Sequence, residues 1–567
     1  MPAIIYSALA VLLTWPLTAH LHDAYPSTVL PGGGDTNMYV WNIDWLARWL
    51  HGDLPVSAGQ MVFYPHGVDP LSAYEGPALF LLGAGLVSLG TGPIAALNLV
   101  VLFGLASTAL AMHWFVRILT RNETVAYFAG LAFGFSPFFL IRGTQHQHLL
   151  LAGVIPLAVL CIVRFTRDPS NGRAAILACS FLAAALVSWY YLLGCLLFFA
   201  VACWDSRKVI LKNLRTAEMA LYMVVLACLL PAWPILARNS HTGLASQDQY
   251  TASLGAQPLN MITPHPFTNI GGATTLPIYE NFPSSYVSGP NYVEASSYLG
   301  LPLLALMILA LWRTKKHIPN RRMWVISLLV FFMLSLGTYL TLGGVRFALP
   351  YAAAIRVFPF SFFRSVNRLF VFVIMIVVVL GSYAVASLAA SRRPRRIRVF
   401  LLVAIFLLLA SERIMLPYPM YKKPVPEFYN TIAKNEGARA VADLPIAPTG
   451  FSEYNFFQTV HAKPIVTGEY FYPAYTKTTF TFILSNPLLR GSLCPIPAGA
   501  DKGYYSKERV LSQLLKNNIR YVVVHNFTLA SDPQCGHARS FIRSFFDGQK
   551  PVFTDGEITV YDTWENL

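Results

Sequence analysis

Up to residue 415 the chain alternates between long apolar runs and short polar segments. A helix needs about 20 predominantly apolar residues to cross a bilayer. On that rule we predict eleven membrane-spanning helices, at 3–20, 94–116, 125–141, 149–163, 176–187, 192–204, 217–236, 298–312, 324–342, 369–388 and 399–415.

Two further stretches, between the first and second spans, have the pattern of a helix that does not cross. Residues 37–50 place four aromatic rings among polar side chains, which is typical of a helix lying in the membrane interface. Residues 77–90 are apolar but shorter than a crossing requires. We predict a re-entrant or surface helix there, because a full crossing would invert every later loop.

The loops between the spans carry charge of opposite sign. Residues 33–75 are acidic, with Arg48 as the single Lys or Arg, whereas basic residues cluster in later alternate loops, at 117–121, 164–173, 207–215, 313–322 and 391–398. Basic loops stay on the cytoplasmic side. The N-terminus is therefore predicted inside and the C-terminus outside, with outer loops at 22–93, 237–296 and 343–368.

Composition supports this assignment. Charged residues make up 12% of the 567 residues, about half of the roughly 25% typical of soluble proteins. The net charge of +15 comes mainly from the inner loops, so we expect contacts with membrane lipids and no nucleic-acid binding. We predict a multi-pass protein of the cytoplasmic (inner) membrane.

The tail after residue 415 has the composition of a water-exposed domain. Helical patterns at 427–435 and 507–517 alternate with short strand patterns at 438–444, 463–468, 519–525 and 558–562. We therefore predict a polytopic α-helical membrane domain, 1–415, and an extracytoplasmic α/β domain, 416–567. A disulfide between Cys494 and Cys535 is compatible with that outer location.

Asp35 is the first candidate for chemistry. It follows three glycines and precedes the helical stretch 37–50. Glycine lets the backbone turn tightly near a ligand, and a carboxylate at the membrane face can accept a proton or bind a hard cation. Asp is also a favoured helix N-cap, so the local pattern leaves both roles open.

Other candidates lie at the remaining outer turns. His146 and His148 can contact a phosphate or a metal, or can simply be polar residues that end two spans. Trp189 and Tyr190 fit a binding surface as well as an aromatic belt. Glu294, in the second large outer loop, can reach a site or remain a solvated loop acid.

Arg364 and Arg368 depart from the charge rule, because they lie on a predicted outer loop. Arginine binds phosphate with two parallel hydrogen bonds. The pair can hold an anionic lipid headgroup or anchor the loop to the outer leaflet.

Several of these segments together resemble the GT-C glycosyltransferases, integral membrane enzymes that use lipid-phosphate-linked sugars. In layout the chain resembles the oligosaccharyltransferase catalytic subunits: the first outer loop contains GDTNMYVWN, with Asp35 and Asn37, and then FYPHG at 63–67. Later matches are SPFF with Arg142 and Gly143, SWYY at 188–191, and Arg368 in SVNRLF.

Two departures from the sequence pattern of that family limit which of its properties can be expected of this chain. Its second acidic motif is replaced here by Gln145, His146 and Gln147, and the tail lacks its Trp-Trp-Asp motif. Asparagine glycosylation is therefore not expected. The chain is more similar to bacterial GT-C-type proteins that have an α/β tail and build surface glycans or glycolipids.

The resemblance implies that a sugar is transferred, with inversion, from a polyprenyl-phosphate-linked donor to a glycan or glycolipid acceptor at the outer face of the membrane. Asp35 would be the catalytic carboxylate, and Arg368, with Arg364, would hold the leaving phosphate, helped by His146 or His148. Asn37, Trp189, Tyr190 and Glu294 would line the substrate site. No cofactor is certain; a divalent Mg or Mn ion would be bound by Asp35.

Two other classes remain open: a transporter or flippase for a lipid-linked substrate, and an inactive scaffold that keeps the fold. Transporters commonly place polar groups at mid-membrane, whereas the polar groups of this chain gather at the outer interface. That distribution favours chemistry at the outer face.

Overall fold

The computed structural model describes residues 1–29, 33–54, 58–68, 76–238, 254–280, 292–314, 318–342, 345–357, 360, 363, 365–437, 440–447, 451–469, 479–494, 506–526 and 535–565. Up to residue 411 these residues are mainly helical. The helices are α1 (Pro2–Leu13), α2 (Thr36–His51), α3 (Pro77–Ser88), α4 (Pro93–Thr120), α5 (Glu123–Gly134), α6 (Pro137–Arg142), α7 (Val154–Arg167), α8 (Asn171–Val187), α9 (Trp189–Asp205), α10 (Arg207–Lys212), α11 (Leu214–Arg238), α12 (Pro258–Ile262), α13 (Gly272–Glu280), α14 (Leu301–Arg313), α15 (Arg321–Ser335), α16 (Pro350–Ala354), α17 (Phe370–Ala389) and α18 (Arg395–Ser411).

Among the described residues, four helical segments are long and apolar enough to cross a membrane: Pro93–Thr120, Glu123–Arg142, Leu214–Ala232 and Val366–Ala389. Shorter apolar helices accompany them, including α1, α3, α8, α9 and α14. The chain is thus a helical membrane protein. The count of eleven spans, the orientation in the membrane and the division at residue 415 stay predictions.

Helix α17 forms the centre of the membrane part. It carries no charged residue and is apolar on every face, which requires burial on every face. Its residues from Phe370 to Val385 are all buried, against α5, α14 and α15 among other helices. The short 3₁₀ helix Val366–Leu369 leads directly into it, so the rigid centre of the fold positions Arg368.

Two predicted elements differ in the structure. The span predicted at 324–342 ends as a helix at Ser335, and β2 (Tyr339–Leu342) pairs antiparallel with β3 (Val345–Ala348). Gly337, at φ +85°, lies between helix and strand and provides the left-handed turn. The helix predicted to lie in the interface is α2, and its Trp41 and Trp45 are buried.

The tail contains a small mixed sheet. Strand β5 (Ala440–Leu444) pairs parallel with β6 (Ile519–His525), and β8 (Ile558–Asp562) joins β6 and β7 (Phe553–Thr554) antiparallel, giving the order β5-β6-β8-β7. Its helices are α19 (Phe428–Lys434), α20 (Ser452–His461), α21 (Thr481–Ser485), α22 (Pro487–Gly491), α23 (Lys507–Lys516) and α24 (Gly536–Phe545). The strand predicted at 463–468 is wrong, because Ile465 makes a single bridge to Val441. Cys494 and Cys535 form a disulfide.

The tail is joined to the first loop of the membrane part. Strand β1 (Tyr25–Pro26) pairs with β4 (Met420–Tyr421), and α20 packs along α2. Ile465 donates a backbone hydrogen bond to Met61 at 2.9 Å and accepts one from Tyr64 at 3.0 Å. The tail therefore covers part of α2, whose Trp41 and Trp45 are buried.

Candidate active site

Asp35 lies at the first turn of α2, where Gly33 and Gly34 both have left-handed backbone angles. Its backbone carbonyl accepts from Met38 and Tyr39. Although it occupies the N-cap position, its side chain makes no capping hydrogen bond. The carboxylate instead lies 3.4 Å from Nε2 of His146, and its side chain is 48% exposed. A half-exposed carboxylate beside a buried imidazole can accept a proton from a bound hydroxyl.

His146 is positioned by the turn that follows α6. Its backbone N–H donates to the carbonyl of Arg142 at 2.7 Å, and its ring Nδ1 lies 3.2 Å from Nη1 of Arg142. The ring is buried. Burial lowers the pKa of His146 from its ordinary value, because it disfavours the charged form of the ring. The negative charge of the neighbouring Glu294 opposes this effect only in part.

Glu294 brings two arginines together in the interior. Its Oε2 lies 2.7 Å from Nη1 of Arg142, and its Oε1 lies 3.0 Å from Nη2 of Arg368. Asn367 donates to Oε2 at 2.9 Å. The interpretation of Glu294 as a solvated loop acid is wrong, because its side chain is 4% exposed and that of Arg142 is fully buried.

These contacts set the charge state of Glu294. Burial raises the pKa of its carboxyl, but the charges of Arg142 and Arg368 outweigh that effect and hold the pKa well below its usual range. A buried carboxylate between two guanidinium groups is fully ionised at neutral pH. Arg142, Glu294 and Arg368, with His146, are called the buried charge cluster below.

Arg368 also stacks on an aromatic ring. Its guanidinium carbon lies 5.1 Å from the ring centroid of Tyr190, within the range of a cation–π interaction. The Tyr190 hydroxyl accepts a hydrogen bond from the backbone of Ser365 at 2.8 Å. Trp189 begins α9 beside this contact and packs, partly buried, against the core. Tyr190 therefore supports the segment that carries Arg368.

The other predicted residues have different surroundings. Asn37 accepts from the hydroxyl of Tyr25 and donates to Ser452 of the tail at 3.3 Å, so its amide is directed at the tail. His148 stacks on Tyr39 and lies 2.5 Å from its hydroxyl through Nδ1. Arg364 lies outside the described residues.

Two members of the site were not among the predicted site residues. Arg142 is the base at the end of an apolar helix, and Asn367 directly precedes Arg368. The position of Arg142 at the end of an apolar run is a signal that could have identified it as a site residue, since a charge in such a place needs a partner of opposite charge. Nothing in the sequence pairs it with Glu294, because 151 residues separate the two.

No group of three or more His, Cys, Asp or Glu side chains that could hold a metal ion is found among the described residues.

Comparisons with known proteins identify a family and a fold. The family model described as a domain of unknown function (DUF6311) matches residues 8–410, so the chain belongs to that family. No curated protein matches the chain.

Among solved structures, a single-residue mutant of the arabinofuranosyltransferase AftD from mycobacteria is 14% identical with a TM-score of 0.55; the alignment covers 99% of this chain and 41% of that one. ArnT from Cupriavidus metallidurans, bound to undecaprenyl phosphate, is 12% identical with a TM-score of 0.53, over 99% of this chain and 97% of that one. The chain thus spans about two fifths of the length of AftD. Both are membrane glycosyltransferases of the GT-C superfamily, and the fold of this chain is GT-C-like.

Proposed function

We propose that this member of the DUF6311 family transfers a sugar from a polyprenyl-phosphate-linked donor to a surface glycan, glycolipid or similar acceptor at the outer face of the cytoplasmic membrane. One observation carries the proposal: the half-exposed carboxylate of Asp35 lies against the buried charge cluster at one end of a GT-C-like helical bundle. A base and a phosphate-compatible set of cations therefore lie side by side. The ArnT structure with bound undecaprenyl phosphate supports a polyprenyl lipid as the donor carrier.

In the proposed reaction, Asp35 accepts the proton of the acceptor hydroxyl while its oxygen attacks the anomeric carbon of the donor sugar. The bond from that carbon to the phosphate oxygen breaks, and the polyprenyl phosphate leaves with the bonding electron pair. A single displacement of this kind inverts the anomeric carbon. The products are the glycosylated acceptor, the free polyprenyl phosphate and a proton that Asp35 releases.

Arg368 is proposed to stabilise the departing phosphate, because a guanidinium group compensates the negative charge that develops on it. Its contacts to Glu294 and Tyr190 restrict the group to one orientation before the donor binds. Arg364 lies close in sequence, and we propose that it assists. The tail, which covers α2, is proposed to lie outside the membrane next to the acceptor.

The test is a transfer assay on purified protein in nanodiscs. A panel of polyprenyl-phosphate sugars is supplied, with and without envelope glycan acceptors, and release of free polyprenyl phosphate is followed. The matched variants are Asp35→Asn and Asp53→Asn, since Asp53 is an exposed acid of the same loop.

We expect release by the wild type and by Asp53→Asn, and a loss of roughly 100-fold or more in Asp35→Asn, the order of a general base's contribution. Transfer by Asp35→Asn at the wild-type rate would refute the assignment of Asp35. Tight donor binding without turnover in every variant would overturn the enzyme proposal in favour of a transporter or a scaffold.

A further inference from the structure

The two ring nitrogens of His146 have partners of different chemistry. Nδ1 lies 3.2 Å from Nη1 of Arg142, and an arginine side chain has hydrogen-bond donors only. Nδ1 must therefore be the acceptor, and it carries no proton. In a neutral imidazole the proton then lies on Nε2.

The proton on Nε2 has two possible acceptors. Oδ2 of Asp35 lies at 3.4 Å and Oε1 of Glu294 at 3.7 Å. Both oxygens of Glu294 already accept from other groups: Oε1 from Arg368, and Oε2 from Arg142 and Asn367. The shorter contact and the occupied oxygens of Glu294 both direct the Nε2–H toward Asp35.

We infer that His146 is a positioning residue, whose tautomer is fixed by Arg142 so that Nε2–H donates to Asp35 and the ring takes no proton itself. The inference rests on the proposed function only where it concerns catalysis; the tautomer itself is independent of it. It differs from a role in which His146 neutralises the leaving phosphate, because Nε2 faces the base.

The charges around the ring agree with a neutral imidazole. Arg142, Arg368, Glu294 and Asp35 all lie near the ring, so two positive and two negative groups surround it. A protonated ring would also direct an N–H of Nδ1 at an N–H of Arg142, which is repulsive.

A consequence for the reaction follows from the occupied nitrogens. His146 contacts one oxygen of the Asp35 carboxylate, and the Asp35 side chain is 48% exposed. Since neither ring nitrogen can accept a proton, the proton that Asp35 takes up cannot pass inward through His146. It leaves through the exposed face of the carboxylate into water.

The tautomer can be measured without any substrate. Protein labelled with ¹⁵N-histidine in nanodiscs is compared with the His146→Gln variant, and the difference spectrum gives the His146 nitrogens. We expect an unprotonated Nδ1 and a protonated Nε2 at neutral pH. A proton on Nδ1, or on both nitrogens, would overturn the inference, whatever the outcome of the transfer assay.

The role in catalysis is tested by two substitutions. Glutamine offers an N–H near the position of Nε2 and an oxygen that can accept from Arg142, whereas methionine fills the space and offers neither. We expect His146→Gln to keep kcat within roughly threefold, and His146→Met to lower it roughly 10- to 100-fold with little change in the donor KM. His22→Gln, at an exposed histidine of the loop that carries Asp35, is the control.

Two results would contradict this role. Equal loss of kcat in the glutamine and methionine variants would mean that the ring itself transfers a proton. A raised donor KM with unchanged kcat would mean that His146 binds the donor. If no variant and no wild type turns over any donor, the proposed function fails while the measured tautomer still decides the structural inference.

Discussion

Neutralising Glu294 should destabilise the protein more than any exposed acid does. Glu294 is 4% exposed and holds the fully buried Arg142 at 2.7 Å and the buried Arg368 at 3.0 Å. In Glu294→Gln the two guanidinium groups would lose the buried counter-ion that they share. Removing one partner of a buried ion pair costs about 3–5 kcal/mol, and we expect a loss in that range here.

The loss is measured as the change in unfolding free energy in mixed micelles, followed by tryptophan fluorescence. Glu427→Gln is the matched control, because Glu427 is an exposed acid at the start of α19 that makes no capping bond. We expect a change within about 0.5 kcal/mol for the control.

A double variant tests the electrostatic reason. Arg142→Gln alone should destabilise, because it removes a partner from Glu294. Combined with Glu294→Gln it restores the balance of charge, so the double variant should lose at least about 1 kcal/mol less than the sum of the single losses. Strictly additive losses, or a near-neutral Glu294→Gln, would refute the reasoning.

Three further predictions concern stability. Burial lowers the pKa of His461 to about 4, whereas a histidine of the unfolded chain takes up a proton near pH 6.5. The contribution of His461 to the stability of the tail is therefore fully present above pH 6.5 and falls by about 3 kcal/mol toward pH 4. A pH series of melting curves should be flatter for His461→Phe than for the wild type. Cys494→Ser opens the disulfide that joins residues 41 apart and should cost the tail about 2–4 kcal/mol, seen as faster proteolysis than in Cys179→Ser, which removes an exposed free thiol. In Gly134→Ala the new methyl would lie within 2.5 Å of the backbone of α4 and should cost about 1–3 kcal/mol in thermal unfolding, whereas Gly85→Ala, which meets open space, should be neutral or stabilising.

Sequence patterns predicted helices and strands well where the apolar residues follow a single regular spacing. Strands 519–525 and 558–562 have the predicted bounds, and helix 369–388 differs by one residue at each end. In these stretches apolar periodicity and burial agree. Residues 463–468 have the same alternating pattern but pair with the first loop and with Val441 at single points, and no local rule encodes such partners.

The site shows the same boundary between local and long-range information. Asp35, His146, Glu294 and Arg368 were all candidates from sequence, because each is a polar or charged residue on a predicted outer loop or turn. That they meet depends on contacts across more than 70 residues in every case. The resemblance to GT-C enzymes implies that Asp35 and Arg368 belong to one site, whereas the pairing of Arg142 with Glu294 came only from the structure.

The contact between the tail and the first loop also affects how the protein is made. Ser452 donates to the carbonyl of Gly34, next to Asp35, and Ile465 bonds to Met61 and Tyr64 of the same loop. During synthesis the loop is complete when fewer than a hundred residues have emerged, yet its partners are added more than 300 residues later. The first outer loop, 22–93, therefore lacks its contacts with the tail while almost the whole membrane part is inserted. We expect the site to be completed as one of the last events of biogenesis.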